Sequence, residues 1–518
     1  MPAMIQGEAA ISPKLDLLLR KPEDRPPAEQ LALTFDPIEV IKDLEDLHES
    51  LKEADAMLKA IVPYLEPPHH RPEIPAVGEI EFGILPFWAK NPDQIPYEEE
   101  IPHVFLKFLK LVDDLGLIPE PTVTLCDYKK IKLAAQNNTA ISPDGTSWEI
   151  NDFGQLDLRW LEAPINMLLV NHDYKKYPWP VPDPKNPALS PLVGSIQADA
   201  ARGGKTMFAI AGDWGTGAAD AVAVRGAAME LNPDYLFHLG DVYYTGTPEF
   251  SLKRPFLGSG YENAHLVDFW PKDDLKPGRS FTMNSNHEMY TGAWGLFEDA
   301  LSSPIFAHQN GFSYGMIEND DWQIFYLDSA YCSPDFLKMY GALSDDQISF
   351  VQAMRKGKSN KKTIVMTHHT PFDLTGQIEQ ISDGKSLLRD VAAALGNSLP
   401  DYWYFGHIHD GIVYAPKKVM DTPSGPAIPG VCRMRCTGHA SMPYGAPWGL
   451  AKVNRTPPFK KTGFIDHIEF FAQSPKLDCG LLVKNGFMTV TLDGDTIEEA
   501  FYDSDCVKVW PLDEAPIA

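Results

Sequence analysis

The chain has 518 residues, 44% hydrophobic and 22% charged, with a formal net charge of −26. That length allows two or more domains, each with its own core, and the composition is that of an ordinary soluble globular protein. Bulk charge of this sign excludes binding of nucleic acid or an anionic membrane through the general surface, so an anionic ligand needs a local positive source such as bound metal ions. The first 20 residues interrupt their apolar positions with Gln6, Glu8, Lys14 and Asp16 and form no signal-peptide core. No run of about 18 apolar residues marks a membrane span, so the expected location is cytoplasmic. Six cysteines in a chain this long make no disulfide framework; Cys432 and Cys436 are the pair expected to meet locally, if any does.

In chain order, residues 1–35 read as a polar arm. Asp36-Pro37 then opens a helix whose apolar positions Val40, Leu44, Leu47, Leu51, Ala54, Leu58 and Ile61 alternate in steps of four and three. That seam suits either one helix of a local hairpin or a two-chain coiled coil, which would make a homo-oligomer. Residues 63–102 are proline-rich loop and extended chain, with His69-His70 in a surface loop. A second amphipathic helix runs from about Glu98 to Leu115 and stops at Gly116. Pro178, Pro180, Pro182, Pro184, Pro187 and Pro191 then predict a stiff linker, with a domain boundary in 180–203. The expected organisation is a largely helical, Pro-rich N-terminal region, 1–200, and a second domain, 204–518, whose apolar runs alternate with helical segments as in a layered α/β fold.

The second domain opens on the apolar run Thr206–Ala211, followed by Gly212-Asp213-Trp214-Gly215. An alanine-rich helix stops at Asn232-Pro233, and a second apolar run, Tyr235–Leu239, ends in Gly240-Asp241. A right-handed strand–helix–strand crossover brings those two strand ends together. Three further strand ends carry similar residues: Asn286-His287 after Ser280–Met283, His368-His369 after Lys361–Thr367, and His407 with His409 after Tyr402–Phe405. A last hairpin is expected around Asp493-Gly494. A single histidine after a strand is usually a turn residue; five strand ends bearing such residues in one domain point to a site on one sheet edge. Carboxylate, amide and phenolate oxygens with imidazoles suit hard and borderline ions, and the absence of cysteine argues against a structural zinc site. So many donors exceed one four-coordinate ion and suit two ions about 3.5–4 Å apart, which bind a phosphate oxygen and acidify a water.

These motifs, Gly-Asp-x-Gly, Gly-Asp-x-x-Tyr, Asn-His-Glu, His and Gly-His-x-His, resemble those of the calcineurin-like metallophosphoesterases over about 205–415. Among these they are most similar to the purple acid phosphatases, because Asp213 is followed by Trp214-Gly215 where many phosphodiesterases have Asp-x-His with a histidine ligand, and Tyr244 stands three residues after Asp241. Ser285 replaces the family's glycine before Asn286. The resemblance implies a layered αββα-type core. It implies one metal, Fe(III), on Asp213, Asp241, Tyr244 and His409. A second, Fe, Zn or Mn, would sit on Asp241, Asn286, His407 and one of His368 and His369. Running straight off the strand favours His368; the His-x-Pro spacing before Pro371 favours His369. Asp241 would bridge, and His287 would face the phosphate as hydrogen-bond donor or general acid. The implied activity is hydrolysis of a small phosphorylated substrate, a phosphomonoester first and a phosphodiester as the alternative. The insert at 245–278 and the stretch from Cys432 to Tyr444, with Arg433, Arg435 and His439, either shape the pocket or are ordinary surface charge. The reading from another class is a metal-holding scaffold without turnover.

Overall fold

The computed structural model describes residues 175–512 except 184, 250–260, 272–276, 336, 375, 377–378, 417–418, 423, 443–464 and 473–482, together with Ala163, Asn166, Met167 and Val170. The expected polar arm, both N-terminal helices and His69-His70 lie outside the described residues.

The strands, in chain order, are β1 (Val193–Ser195), β2 (Thr206–Ala211), β3 (Tyr235–His238), β4 (Ser280–Thr282), β5 (Gly315–Glu318), β6 (Trp322–Tyr326), β7 (Lys362–Met366), β8 (Tyr402–Phe405), β9 (Gly411–Pro416), β10 (Val419–Thr422), β11 (Gly425–Pro429), β12 (Arg433–Thr437), β13 (Ile465–Phe471), β14 (Gly486–Asp493), β15 (Thr496–Asp503) and β16 (Lys508–Trp510). The helices are α1 (Ala219–Glu230), α2 (Ala264–Phe269), α3 (Asn286–Met289), α4 (Asp345–Arg355) and α5 (Leu387–Ala394). One six-stranded sheet has the order β16-β15-β14-β2-β3-β4, and an eight-stranded sheet has the order β1-β5-β6-β7-β8-β12-β9-β13. Strands β2, β3 and β4 run parallel, as do β6, β7 and β8, so their carboxyl ends lie on the same edge of their sheets.

The sequence dictates the layering. Strands β2, β3, β7 and β8 are apolar on both faces, as strands covered on both sides must be. Between the sheets, Phe208, Ile210 and Phe237 meet Ile324, Tyr326, Ile364 and Tyr404. The outer face of the eight-stranded sheet packs Val365 and Trp403 against Val351 of α4 and Leu388 and Val391 of α5. The other outer face packs Ala209 and Leu236 against Ala221 and Val224 of α1, whose alanines let it approach closely. The result is the expected helix–sheet–sheet–helix order. Helix α4 starts on Ser344, whose hydroxyl accepts from the Gln347 amide, with Asp345 and Asp346 in the positive first turn. The expected hairpin at Asp493-Gly494 forms as β14 and β15.

β1, inside the expected boundary zone 180–203 and just past Pro191, pairs in parallel with β5 and extends the larger sheet. Cys432 and Cys436 are both free; four residues apart along extended chain they stand about 13 Å from one another, well beyond disulfide reach. Arg435 is not surface charge: it is buried, bonding Glu499 of β15 through two nitrogens at 3.1 and 2.9 Å and so tying one sheet to the other. Among the described residues no helix is long and apolar enough to cross a membrane.

Burial also sets a pH limit. His238, the last residue of β3, and His439, just past β12, are fully enclosed, and burial pushes each pKa down from 6.5 to about 3. As pH falls through 6.5 the unfolded chain takes up protons that the folded chain refuses until about 3. Stability present above 6.5 is therefore lost across that window, by up to about 1.4 kcal/mol per pH unit for each histidine. Urea midpoints of the metal-free protein should fall steadily below pH 6.5, and His439→Asn should flatten the slope; parallel slopes would remove His439 from the account.

Candidate metal centre

Five parallel or near-parallel strand ends converge. Asp213 lies two residues past β2, Asp241 three past β3, Asn286 opens α3 beyond β4, His368 lies two past β7, and His407 and His409 follow β8. Asp213, Asp241 and His368 are fully buried, and each offers a ligand atom within 4.8 Å of the others. Nε2 of His368 stands 3.2 Å from Asp241 Oδ1 and 2.8 Å from Asn286 Oδ1. On the other side of Asp241, His409 Nε2 stands 3.7 Å from Asp213 Oδ1 and 3.9 Å from Asp241 Oδ2. The His407 amide donates to both Asp213 carboxylate oxygens, at 3.1 and 3.0 Å, and its ring centre lies 5.0 Å from that of His368. The structure thus brings Asp213, Asp241, Asn286, His368, His407 and His409 together.

Tight turns place them. Asp213, Asp241, His407 and His409 have φ of +59, +77, +71 and +49°, a left-handed conformation that L residues adopt only when their surroundings impose it, at about 1–3 kcal/mol each. Two glycines make the crowding possible. A Cβ on Gly240 would lie 2.8 Å from Ser285 Cβ, and one on Gly406 would lie 2.5 Å from Asp213 Oδ2.

The histidine pair divides its work. His368 fixes its ring by pairing Nδ1 with the Leu239 carbonyl at 2.9 Å, which leaves Nε2 on the Asp241 side. His369 engages both ring nitrogens elsewhere. Nε2 donates to the Lys338 carbonyl at 2.7 Å, so Nδ1 accepts from Ser329 Oγ at 2.9 Å. Burial, with the His407 and His368 rings beside it, pushes the His369 pKa well down, so the ring is neutral.

Of the adjacent tyrosines, Tyr243, not singled out in the sequence, has its hydroxyl at the centre. Its hydroxyl lies 2.7 Å from Asp241 Oδ2, 3.3 Å from Asp213 Oδ1 and 2.9 Å from His409 Nε2. Val242 makes a single bridge to Gly215 there, with the Gly215 amide on the Asp241 carbonyl at 2.9 Å and the Tyr243 amide on the Gly215 carbonyl at 3.0 Å. Tyr244 instead offers its carbonyl to His287 Nδ1, at 2.5 Å.

Two further carboxylates, given no role by the sequence reading, stand near the centre. Asp328, just past β6, accepts from Ser313 Oγ at 2.6 Å, Asn284 Nδ2 at 3.1 Å and the amides of Ala330 and Tyr331. Burial pushes its pKa up, while those donors oppose the shift. It supports the turn that carries Ser329, and its strand-end position was the signal available. Glu288 touches the Asp241 amide at 3.3 Å and the Ser285 hydroxyl, and burial together with the Asp241 charge pushes its pKa up to about 8.

The donor set fits a metal. Asp213 and Asp241 are buried carboxylates close enough to repel, and imidazole and phenol donors surround them with no cysteine among them. Residues 206–411 match the family model described as calcineurin-like phosphoesterase. No curated protein matches the sequence. Similar solved structures include a purple acid phosphatase from yellow lupin (Lupinus luteus) seeds, at 13% identity and a TM-score of 0.37 over 60% of this chain and 52% of that one. GAP50, the anchor in the inner membrane complex of Plasmodium, is similar at 13% identity and a TM-score of 0.36, over 58% of this chain and 85% of that one. PhoD is similar at 10% identity and a TM-score of 0.36, over 62% of this chain and 73% of that one. The chain spans about half the length of the lupin protein.

If the turn at Gly406 exists to let Asp213 in, Gly406→Ala should weaken metal binding about 10–100-fold, the usual effect of disturbing a ligand's supports. Metal titration of the apoprotein measures this; unchanged affinity would separate Asp213 from metal binding.

Proposed function

We propose that this chain, whose residues 206–411 match the calcineurin-like phosphoesterase family model, hydrolyses phosphate esters at a two-metal centre. The observation that carries this reading is the division of Asp241. Its Oδ1 faces His368, beside Asn286; its Oδ2 faces Tyr243 and, farther off, His409, with Asp213 adjoining. One carboxylate between two donor sets is what a bridging ligand requires. Asn286, His368 and His407 would hold one ion with Asp241; Asp213, Tyr243 and His409 would hold the other. Bound ions supply Lewis-acid polarisation of a phosphoryl oxygen and lower the pKa of water.

The chain's own groups do the rest. Asp241 fixes the separation of the two donor sets. The amide of His407 holds Asp213 in place, and the Leu239 carbonyl orients His368. With Nδ1 of His287 donating to the Tyr244 carbonyl, Nε2 is the atom through which this ring meets a leaving-group oxygen, and it donates a proton there in the imidazolium form. A phenol between carboxylates and imidazole is a hard donor that, as phenolate, suits Fe(III), with Fe, Zn or Mn in the second position. The substrate class is a small phosphorylated molecule, a phosphomonoester first.

A panel of phosphomonoesters and phosphodiesters, assayed with defined metals, tests the reading. Asp241→Asn should lower kcat by about a thousandfold or more, as expected when charge stabilisation in the transition state is lost. With iron bound, Tyr243→Phe should abolish a visible charge-transfer band that Tyr244→Phe retains. Bound metal without turnover on either ester class would leave a scaffold, and a band that survived Tyr243→Phe would end the phenolate assignment.

A further inference from the structure

Residues 175–179 lie upstream of the span that matches the family, yet they touch loops that begin at the strand ends of the centre. The Tyr177 amide donates to the Gly292 carbonyl at 2.8 Å, and Trp294 Nε1 donates to the Lys175 carbonyl at 3.0 Å; both partners follow Asn286-His287. Lys176 Nζ donates to the Tyr331 carbonyl at 3.0 Å and sits 3.9 Å from the centre of its ring. The Tyr331 hydroxyl donates back to the Tyr177 carbonyl at 2.6 Å. Tyr331 stands two residues past Ser329, which bonds His369. Farther upstream, the Asn166 amide donates to Thr245 Oγ1 at 3.0 Å, four residues past Asp241. Rings complete the contact: Tyr177 stacks on Phe297 at 4.8 Å, and Trp179 lies 4.6 Å from the Tyr331 ring. The approach is close enough that a Cβ on Gly292 would stand 2.8 Å from Lys176 Cα.

We propose that residues 175–179, with Asn166, are a clasp that holds in register the loops following β3, β4 and β6, and that the catalytic unit therefore begins upstream of residue 206. Lys176 and Tyr331 are positioning residues. Their bonds run to each other and to the backbone of Tyr177, and through these they set where the loops bearing Asp241, Asn286, His287 and Ser329 lie. Loops that leave different strands keep separate conformational freedom unless one element touches them all, and a misplacement of about 1 Å at a reacting centre costs up to 10²-fold in rate. In its kinetic readout the proposal rests on the hydrolase reading; in its metal readout it does not.

The test uses the full chain and compares Lys176→Met, Lys176→Arg and Tyr331→Phe with the unaltered protein. Lys176→Met should lower kcat and speed the loss of bound metal to a chelator, each by about tenfold. Lys176→Arg keeps a cation and a donor at the Tyr331 carbonyl and should restore most of both. Tyr331→Phe removes one hydroxyl and should shift both in the same direction; it decides the matter if Lys176→Met fails to fold. A lower melting temperature with unchanged kcat and metal release would make the segment merely structural and overturn the proposal. If the unaltered protein retains metal but hydrolyses no phosphoester, the hydrolase reading fails, and the metal-release rates alone decide on the clasp.

Discussion

The fold is arranged around an unfavourable contact. Asp213 and Asp241 bring two carboxylates into one buried space, where like charges repel strongly and each loses hydration. A chain gains nothing in stability from that meeting. It persists because rigid parallel strands deliver both residues to one edge, and because the surrounding groups either donate to the carboxylates or await a cation between them. The His407 amide and the Tyr243 hydroxyl are among the donors. The left-handed backbone at both aspartates and at His407 and His409 belongs to the same economy, in which local strain is tolerated because two well-packed sheets over-determine the turns.

The two sheets give that rigidity in different ways. Aromatic and branched side chains fill the layer between them, and the Arg435–Glu499 pair crosses from one to the other. An ion pair this enclosed adds little net stability, but it is costly to break, so it holds the sheets to one mutual arrangement. The candidate ligands come from both sheets: Asp213, Asp241 and Asn286 from one, His368, His407 and His409 from the other. Sheet-to-sheet register is therefore also donor-to-donor distance.

Much of this was legible in the residues. Apolar runs ending in Gly-Asp, Asn-His or Gly-His-x-His mark strand ends wherever they occur, because a strand buried on both faces must be apolar and a sharp turn needs glycine or a residue that tolerates positive φ. The choice of Tyr244 followed a spacing carried over by resemblance, whereas the Tyr243 hydroxyl is the one beside both aspartates, in a turn whose course the sequence does not spell out. The pair His368-His369 left two alternatives because the discriminating groups, Leu239, Lys338 and Ser329, are distant in sequence. Strand β1 was hidden by its shortness and its setting among prolines, since three residues carry no periodicity. Arg435 read as surface charge because its partner Glu499 lies on another strand of another sheet.

The sheet order has a consequence for how the chain is made. Strand β2, which leads to Asp213, is flanked by β3 on one side and by β14 on the other. Its partner β14 is drawn from residues 486–493, near the end of the described chain. Synthesis from the N-terminus therefore leaves that edge of β2 unpaired until β14 has been made, a surface that invites wrong partners. Until the β14–β15 hairpin forms, the nascent edge has to be shielded or left loosely folded.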